Sequence, residues 1–188
     1  MGQLLPVFAP QSRVSAAESS LSKPAILLQD LNGRATPAFD GAAHKASVYF
    51  FIIHDCPICN TYAPEINQIC QDYKTADIAF HIVYAENGLS PALAQKHAAE
   101  RQFSCPALLD PRRQLVKFTG AAIAPEAVVL SPERKVLYRG RIDNRMLGWG
   151  VTHMANVHEL RDALTAIQDG RPVAKPWKAP IGCAISTP

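Results

Sequence analysis

Two cysteines separated by two residues, Cys56-Pro57-Ile58-Cys59, are the side chains of this 188-residue chain best suited to chemistry, and that chemistry is dithiol/disulfide exchange. Their placement matters more than the four letters. Residues 47–54 (Ser-Val-Tyr-Phe-Phe-Ile-Ile-His) form a continuous β-branched and aromatic run, as expected of a central strand buried on both faces. Directly after it, Ile58, Tyr62, Ile66, Ile69 and Tyr73 recur at three- and four-residue steps, which predicts a helix opening at Pro57. Proline suits a first helical position because its missing N–H would have no intrahelical partner there. Cys56 thus sits at a helix N-terminus, where unpaired N–H groups and about half a positive charge favour thiolate over thiol. Such settings lower a cysteine pKa into the range of roughly 3.5 to 7.5, so Cys56 is the expected nucleophile. Cys59, one turn on, is placed to resolve a mixed disulfide. His54 either adds a positive charge beside the thiolate or faces solvent at the strand end. The motif as half of a zinc site lacks a second Cys-x-x-Cys or a spaced histidine pair, and haem attachment is excluded because Asn60, not histidine, follows Cys59.

The elements that must hold this motif alternate along the chain. Residues 25–29 read as a short early strand, 78–84 as a further strand, 91–101 as a helix, 107–110 as a short strand and 112–118 as a short helix. Residues 127–130 and 136–139, joined by the Ser131-Pro132-Glu133-Arg134 turn, read as an antiparallel hairpin, and 158–167 as an amphipathic closing helix. Pro64 inside the first helical pattern is expected to kink it. This order implies an α/β domain, a mixed central β-sheet with helices on both faces, over residues 24–170. Residues 1–23 read as a loosely docked tail and 171–188 as an extended, proline-rich one.

Composition excludes several classes. A hydrophobic fraction of 48% and a charged fraction of 19% are ordinary for a globular chain, which argues against disorder or a fibrous protein. A net charge of +3 gives no case for nucleic acid, and Arg112-Arg113 and the basic residues of 134–145 read as solvated surface. No apolar run approaches the ~20 residues of a transmembrane span. The apolar piece within residues 1–17 is interrupted by two prolines and makes a poor signal peptide. Five cysteines, an odd count, leave at least one thiol unpaired in a monomer.

Asp55-Cys56-Pro57-Ile58-Cys59 followed by Tyr62-Ala63-Pro64-Glu65-Ile66 resembles the thioredoxin-like redoxins of the alkyl hydroperoxide reductase/thiol-specific antioxidant superfamily. Residues 124–130, residues 136–143 and 158–164 with Gly182-Cys183 are similar to further blocks of that family, so the likeness spans about residues 25–185. It implies a thioredoxin fold, a cis peptide bond before Pro125, and a backbone edge there that pairs with an extended substrate strand. It also leans towards an extracytoplasmic location in a bacterium. The chain departs from thioredoxins at Phe50, where those proteins carry a buried acid six residues before the first cysteine. It departs from peroxiredoxins in lacking their threonine and arginine around the peroxidatic cysteine: Cys56 stands three before Cys59, and Ala124 precedes Pro125.

Cys70 and Cys105 are expected to be small buried residues, and Cys183 to be a third redox thiol or a partner for another cysteine. His153 and His158 with Cys56 and Cys59 resemble the copper site of related metallochaperones, whose cysteines stand three residues apart rather than two. The reading that follows is a thiol-disulfide oxidoreductase acting on protein thiols and disulfides and recharged by an upstream redox partner, with no cofactor and no metal. In it Cys56 attacks, Cys59 resolves, and Pro57, His54 and Pro125 support the site. The alternatives are a peroxiredoxin-like thiol peroxidase and a non-catalytic metal-carrier or binding module. The direction of electron flow is set by reduction potential, which the motif does not encode.

Overall fold

The computed structural model describes residues 25–39 and 44–185; the tail expected over 1–23, with its apolar piece, lies outside them. In chain order the elements are β1 (Leu27–Asp30), β2 (Ala35–Pro37), β3 (Ala46–Ile52), α1 (Pro57–Asp72), β4 (Ile78–Tyr84), α2 (Pro91–Glu100), β5 (Ala107–Leu109), α3 (Gln114–Thr119), β6 (Ile123–Ala124), β7 (Glu126–Leu130), β8 (Val136–Gly140), β9 (Met146–Gly148), β10 (Val151–Thr152), α4 (Glu159–Gln168) and β11 (Cys183–Ala184). Seven strands form one mixed sheet in the order β2-β1-β5-β4-β3-β7-β8, flanked by the helices. This is the thioredoxin fold.

The apolar run in β3 explains why that strand is central: Val48 through Phe51 have no exposed surface at all. Only a strand paired on both edges and covered on both faces buries every side chain in this way. β4 runs parallel to it on one edge, and β7 antiparallel on the other. A parallel neighbour needs a crossover, and α1 supplies it, turning Ile58, Tyr62, Ala63, Ile66 and Ile69 into the core. Pro64 lies within α1, which runs through it as one helix. At its middle and far end α1 is tied down by charge: Arg145 reaches Glu65 and Asp143, and Arg161 reaches Glu65 and Asp72.

Four features escape the sequence pattern. β2, β6, the β9–β10 ribbon and β11 are two or three residues long, too short to show a period of two. β11 matters most. It lies in the proline-rich stretch expected to hold no element, and it pairs antiparallel with β6 at the mouth of the site.

Candidate active site

The end of β3, the start of α1 and the start of β7 converge. Because β7 is antiparallel to β3 with Phe51 opposite Glu126, residue 125 lies level with the C-terminal end of β3, where the chain turns into α1. Cys56 is the N-cap residue of α1, with extended backbone, and Pro57 occupies the first helical position. Pro125 is buried and the Ala124–Pro125 peptide bond is cis. The Cys56 Sγ lies 3.8 Å from the Ala124 carbonyl oxygen.

Cys56 is bonded to Cys183 rather than to its neighbour in the motif, across 127 residues and a Cα separation of 6.3 Å. Cys59 is a free, buried thiol one turn behind. Burial, reinforced by the negative charges of Glu86 and Asp55, pushes the Cys59 thiol up to about 12, against backbone N–H groups of Ile53 and Cys59 that favour the thiolate. Cys59 is therefore a thiol at neutral pH.

Cys70 and Cys105, expected to be small buried residues, form a second disulfide across 35 residues. Nothing in the two local patterns pairs them; the packing of the end of α1 beside the loop entering β5 does. With four cysteines in disulfides, the denatured, unreduced chain should show one reactive thiol, Cys59. Closing a loop of this length stabilises a fold by roughly 3–4 kcal/mol in the chain-entropy account. The Cys70→Ser, Cys105→Ser double variant should accordingly melt about 10 °C lower in thermal unfolding. An unchanged melting temperature would mean that the bond constrains nothing in the unfolded chain.

His54 does not face solvent alone. Its backbone N–H donates to Glu86 Oε2 at 2.6 Å, and its Nδ1 meets the other oxygen of the same carboxylate. Asn60, in the first turn of α1, donates from Nδ2 to the His54 carbonyl at 3.3 Å and pairs through Oδ1 with His97 Nε2 at 2.8 Å. The other ring nitrogen of His97 is 2.8 Å from the Tyr84 hydroxyl. Burial, with the charges of Arg101 and His54 beside it, lowers the His97 pKa, so this ring bridges Tyr84 and Asn60 in its neutral form. The polar chain from Glu86 through His54 and Asn60 to His97 holds the 54–60 turn in one conformation. Glu86 and His97 carry no motif. The one sequence signal for Glu86 is position, since it stands two residues past the parallel strand beside β3 and the carboxyl ends of such strands collect site residues.

With this geometry in view, sequence comparison matches the Redoxin family over residues 10–147. The chain belongs to the Redoxin family. No curated protein matches it significantly. Among solved structures it is similar to an uncharacterised conserved protein from Geobacillus kaustophilus, at 26% identity and a TM-score of 0.76, covering 88% of this chain and 89% of that one. A hypothetical protein from Sinorhizobium meliloti gives 22% identity and a TM-score of 0.76, with 86% and 90% covered. A thiol-disulfide oxidoreductase from Bacteroides fragilis gives 16% identity and a TM-score of 0.54, with 62% and 87% covered. The last two show the fold alone.

Phe50 marks where this redoxin differs inside. It is fully buried and stacks on Phe80 at 6.4 Å, so the β3 position that holds an acid in thioredoxins holds an aromatic pair here. A carboxylate does stand near the motif, Glu86, which lies two residues beyond β4, holds His54 and bears on Cys59 by its charge. The copper-like grouping is not assembled: His158 lies with Glu65 and Asp143, and His153 Nε2 faces the Asn144 carbonyl at 2.5 Å. Among the described residues, no set of three ligating side chains joins either cysteine of the motif to these histidines.

Proposed function

We propose that the chain is a thiol-disulfide oxidoreductase acting on protein disulfides and thiols, with Cys56 as nucleophile and Cys59 as resolving thiol. The observation that carries this reading is the bond at Cys56: the cysteine at the N-terminus of α1 is joined to a cysteine on an extended strand, while a free thiol waits one turn behind it. That is the arrangement of a mixed disulfide midway through exchange. When Cys56 is released, the helix terminus favours its thiolate, which attacks a substrate disulfide and expels one substrate thiolate. Cys59 then loses its proton and attacks Cys56 Sγ, expelling the second substrate thiolate and leaving Cys56–Cys59 oxidised. Two electrons pass from the pair to the substrate, and an upstream dithiol returns them. Pro125 supports the step by setting the edge on which the partner lies, and His54, clamped by Glu86, supports it by fixing the turn. Within the Redoxin family, the resemblance of the segments around Cys56 and Pro125 supports a reading as the alkyl hydroperoxide reductase/thiol-specific antioxidant type.

The test is reduction of a protein disulfide such as insulin by the chain, driven by a dithiol, with peroxide consumption followed in parallel. Turnover should fall roughly 100-fold or more in Cys56→Ser, which forfeits ~2.7 kcal/mol of transition-state stabilisation. Peroxide turnover faster than disulfide turnover would transfer the reading to a thiol peroxidase, and undiminished disulfide turnover in Cys56→Ser would remove it.

A further inference from the structure

The C-terminal segment does more than supply a third cysteine. Its backbone is laid along the edge that precedes Pro125: Cys183 is in register with Ala124 and Ala184 with Ile123, and the Ile185 N–H donates to the Ala122 carbonyl at 2.9 Å. The edge itself is braced from behind, because the buried Glu126 carboxylate accepts the Ala122 N–H at 2.9 Å and Arg139 approaches it to 3.6 Å. The segment is also moored upstream of the disulfide. The Arg141 N–H donates to the Lys178 carbonyl at 2.9 Å, Trp177 packs on Tyr138 at 6.0 Å, and a Cβ on Gly140 would stand 2.5 Å from the Lys178 oxygen. Ile185, just past the pairing, is buried. With this strand in place Cys56 is only 2% exposed.

Main-chain pairing beside a reactive cysteine is how an extended peptide docks without regard to most of its side chains. One position is not indifferent. A Cβ on Gly182 would sit 2.7 Å from the Ala124 carbonyl carbon, nearer still to its oxygen, and 3.1 Å from Ile123 Cγ2. These are backbone atoms and a β-branched side chain held in a strand, so the groove cannot open to receive the extra carbon without breaking the pairing.

We propose that residues 181–185 occupy the substrate groove as a built-in competitor, and that the groove selects an extended segment whose cysteine is preceded by glycine. The inference rests on the thiol-disulfide reading of the same site and names its substrate class. Opening is an internal exchange. The Cys59 thiolate attacks Cys56 Sγ, the Cys56–Cys59 bond forms as the Cys56–Cys183 bond breaks, and Cys183 leaves as a thiolate that takes up a proton, with no net oxidation. The tail then lifts from β6 while Trp177 and Lys178 keep it tethered, so a substrate competes with a tail at an effective concentration of order millimolar.

The experiment uses the full chain carrying Cys183→Ser, reduced, and two pentapeptides, Ile-Gly-Cys-Ala-Ile and Ile-Val-Cys-Ala-Ile, each with its cysteine activated as a 2-thiopyridyl disulfide. Release of 2-thiopyridone above that of a Cys56→Ser, Cys183→Ser control reports attack by Cys56. Later release of peptide thiol reports resolution by Cys59. The glycine peptide should react at least about tenfold faster than the valine peptide, and adding Gly182→Val to the Cys183→Ser chain should accelerate it further by expelling the tail. Equal rates for the two peptides, no acceleration by Gly182→Val, or no attack above the control overturns the proposal. A glycine preference without later peptide release upholds the groove and instead sinks the role given to Cys59.

Discussion

Replacing Cys59 with serine should leave Cys56 covalently attached to whatever it last attacked. In the wild-type chain Cys59 is the free thiol behind the Cys56–Cys183 bond, and it has a single role in the proposed cycle: to take Cys56 back from its partner. Without it the purified chain should carry the Cys56–Cys183 bond under mild reduction, visible as a linked peptide pair by mass spectrometry. Steady-state disulfide turnover should drop about 100-fold or more, equivalent to ~2.7 kcal/mol in the barrier. The first attack by released Cys56 should survive, because its thiolate is favoured by the helix terminus and not by Cys59. Single-turnover kinetics therefore separate the two steps. A hydroxyl at this buried position also costs stability, so Cys59→Ala serves as the companion variant. Steady-state turnover within twofold of wild type in both variants would make Cys59 a bystander.

The second large effect is on pH. Attack needs the Cys59 thiolate, and burial with the charges of Glu86 and Asp55 holds that thiol at about 12. Below its pKa the thiolate fraction rises with each unit of pH, so the internal exchange that releases Cys183 should accelerate about tenfold per unit between pH 7 and 10. Rapid-quench alkylation of Cys183 measures it. Glu86 raises the Cys59 pKa, so Glu86→Gln should lower it, moving the profile to lower pH and quickening release at pH 7. A flat profile would show that the proton leaves to an internal base before the rate-setting step. The same shift bears on stability with a definite sign. A thiol whose folded pKa exceeds its ordinary 9.0 contributes stability that is complete below that value and is lost as pH climbs towards 12. Unfolding by denaturant at pH 8 and pH 11 should show the loss, and Cys59→Ala should show less of it.

Periodicity made the scaffold legible. The unbroken apolar run of β3, the three- and four-residue spacing in α1 and the apolar β4 are strong local patterns, and each appears in the fold within a residue or two of its expected limits. Their order implied a mixed sheet with helices on both faces, and the resemblance around Cys56 and Pro125 implied the thioredoxin fold. Legibility failed where an element owes its existence to a neighbour. Cys183-Ala184 has no strand pattern of its own and is a strand because β6 offers it an edge.

The chain's one-dimensional order determines that a Cys-x-x-Cys pair opens a helix after a buried strand, and that at least one of five thiols has no partner within a monomer, since both facts are local or arithmetic. Which thiol that is, and which cysteines meet, are properties of three-dimensional distance. Cys59 is nearest to Cys56 in sequence, yet Cys183 holds it because a tail strand pairs with the residue before Pro125, and Cys70 meets Cys105 because the C-terminal half of α1 lies beside the loop entering β5. The Glu86 clamp on His54 and the glycine-only approach at residue 182 likewise depend on strands laid side by side, a relation that spacing along the chain does not record.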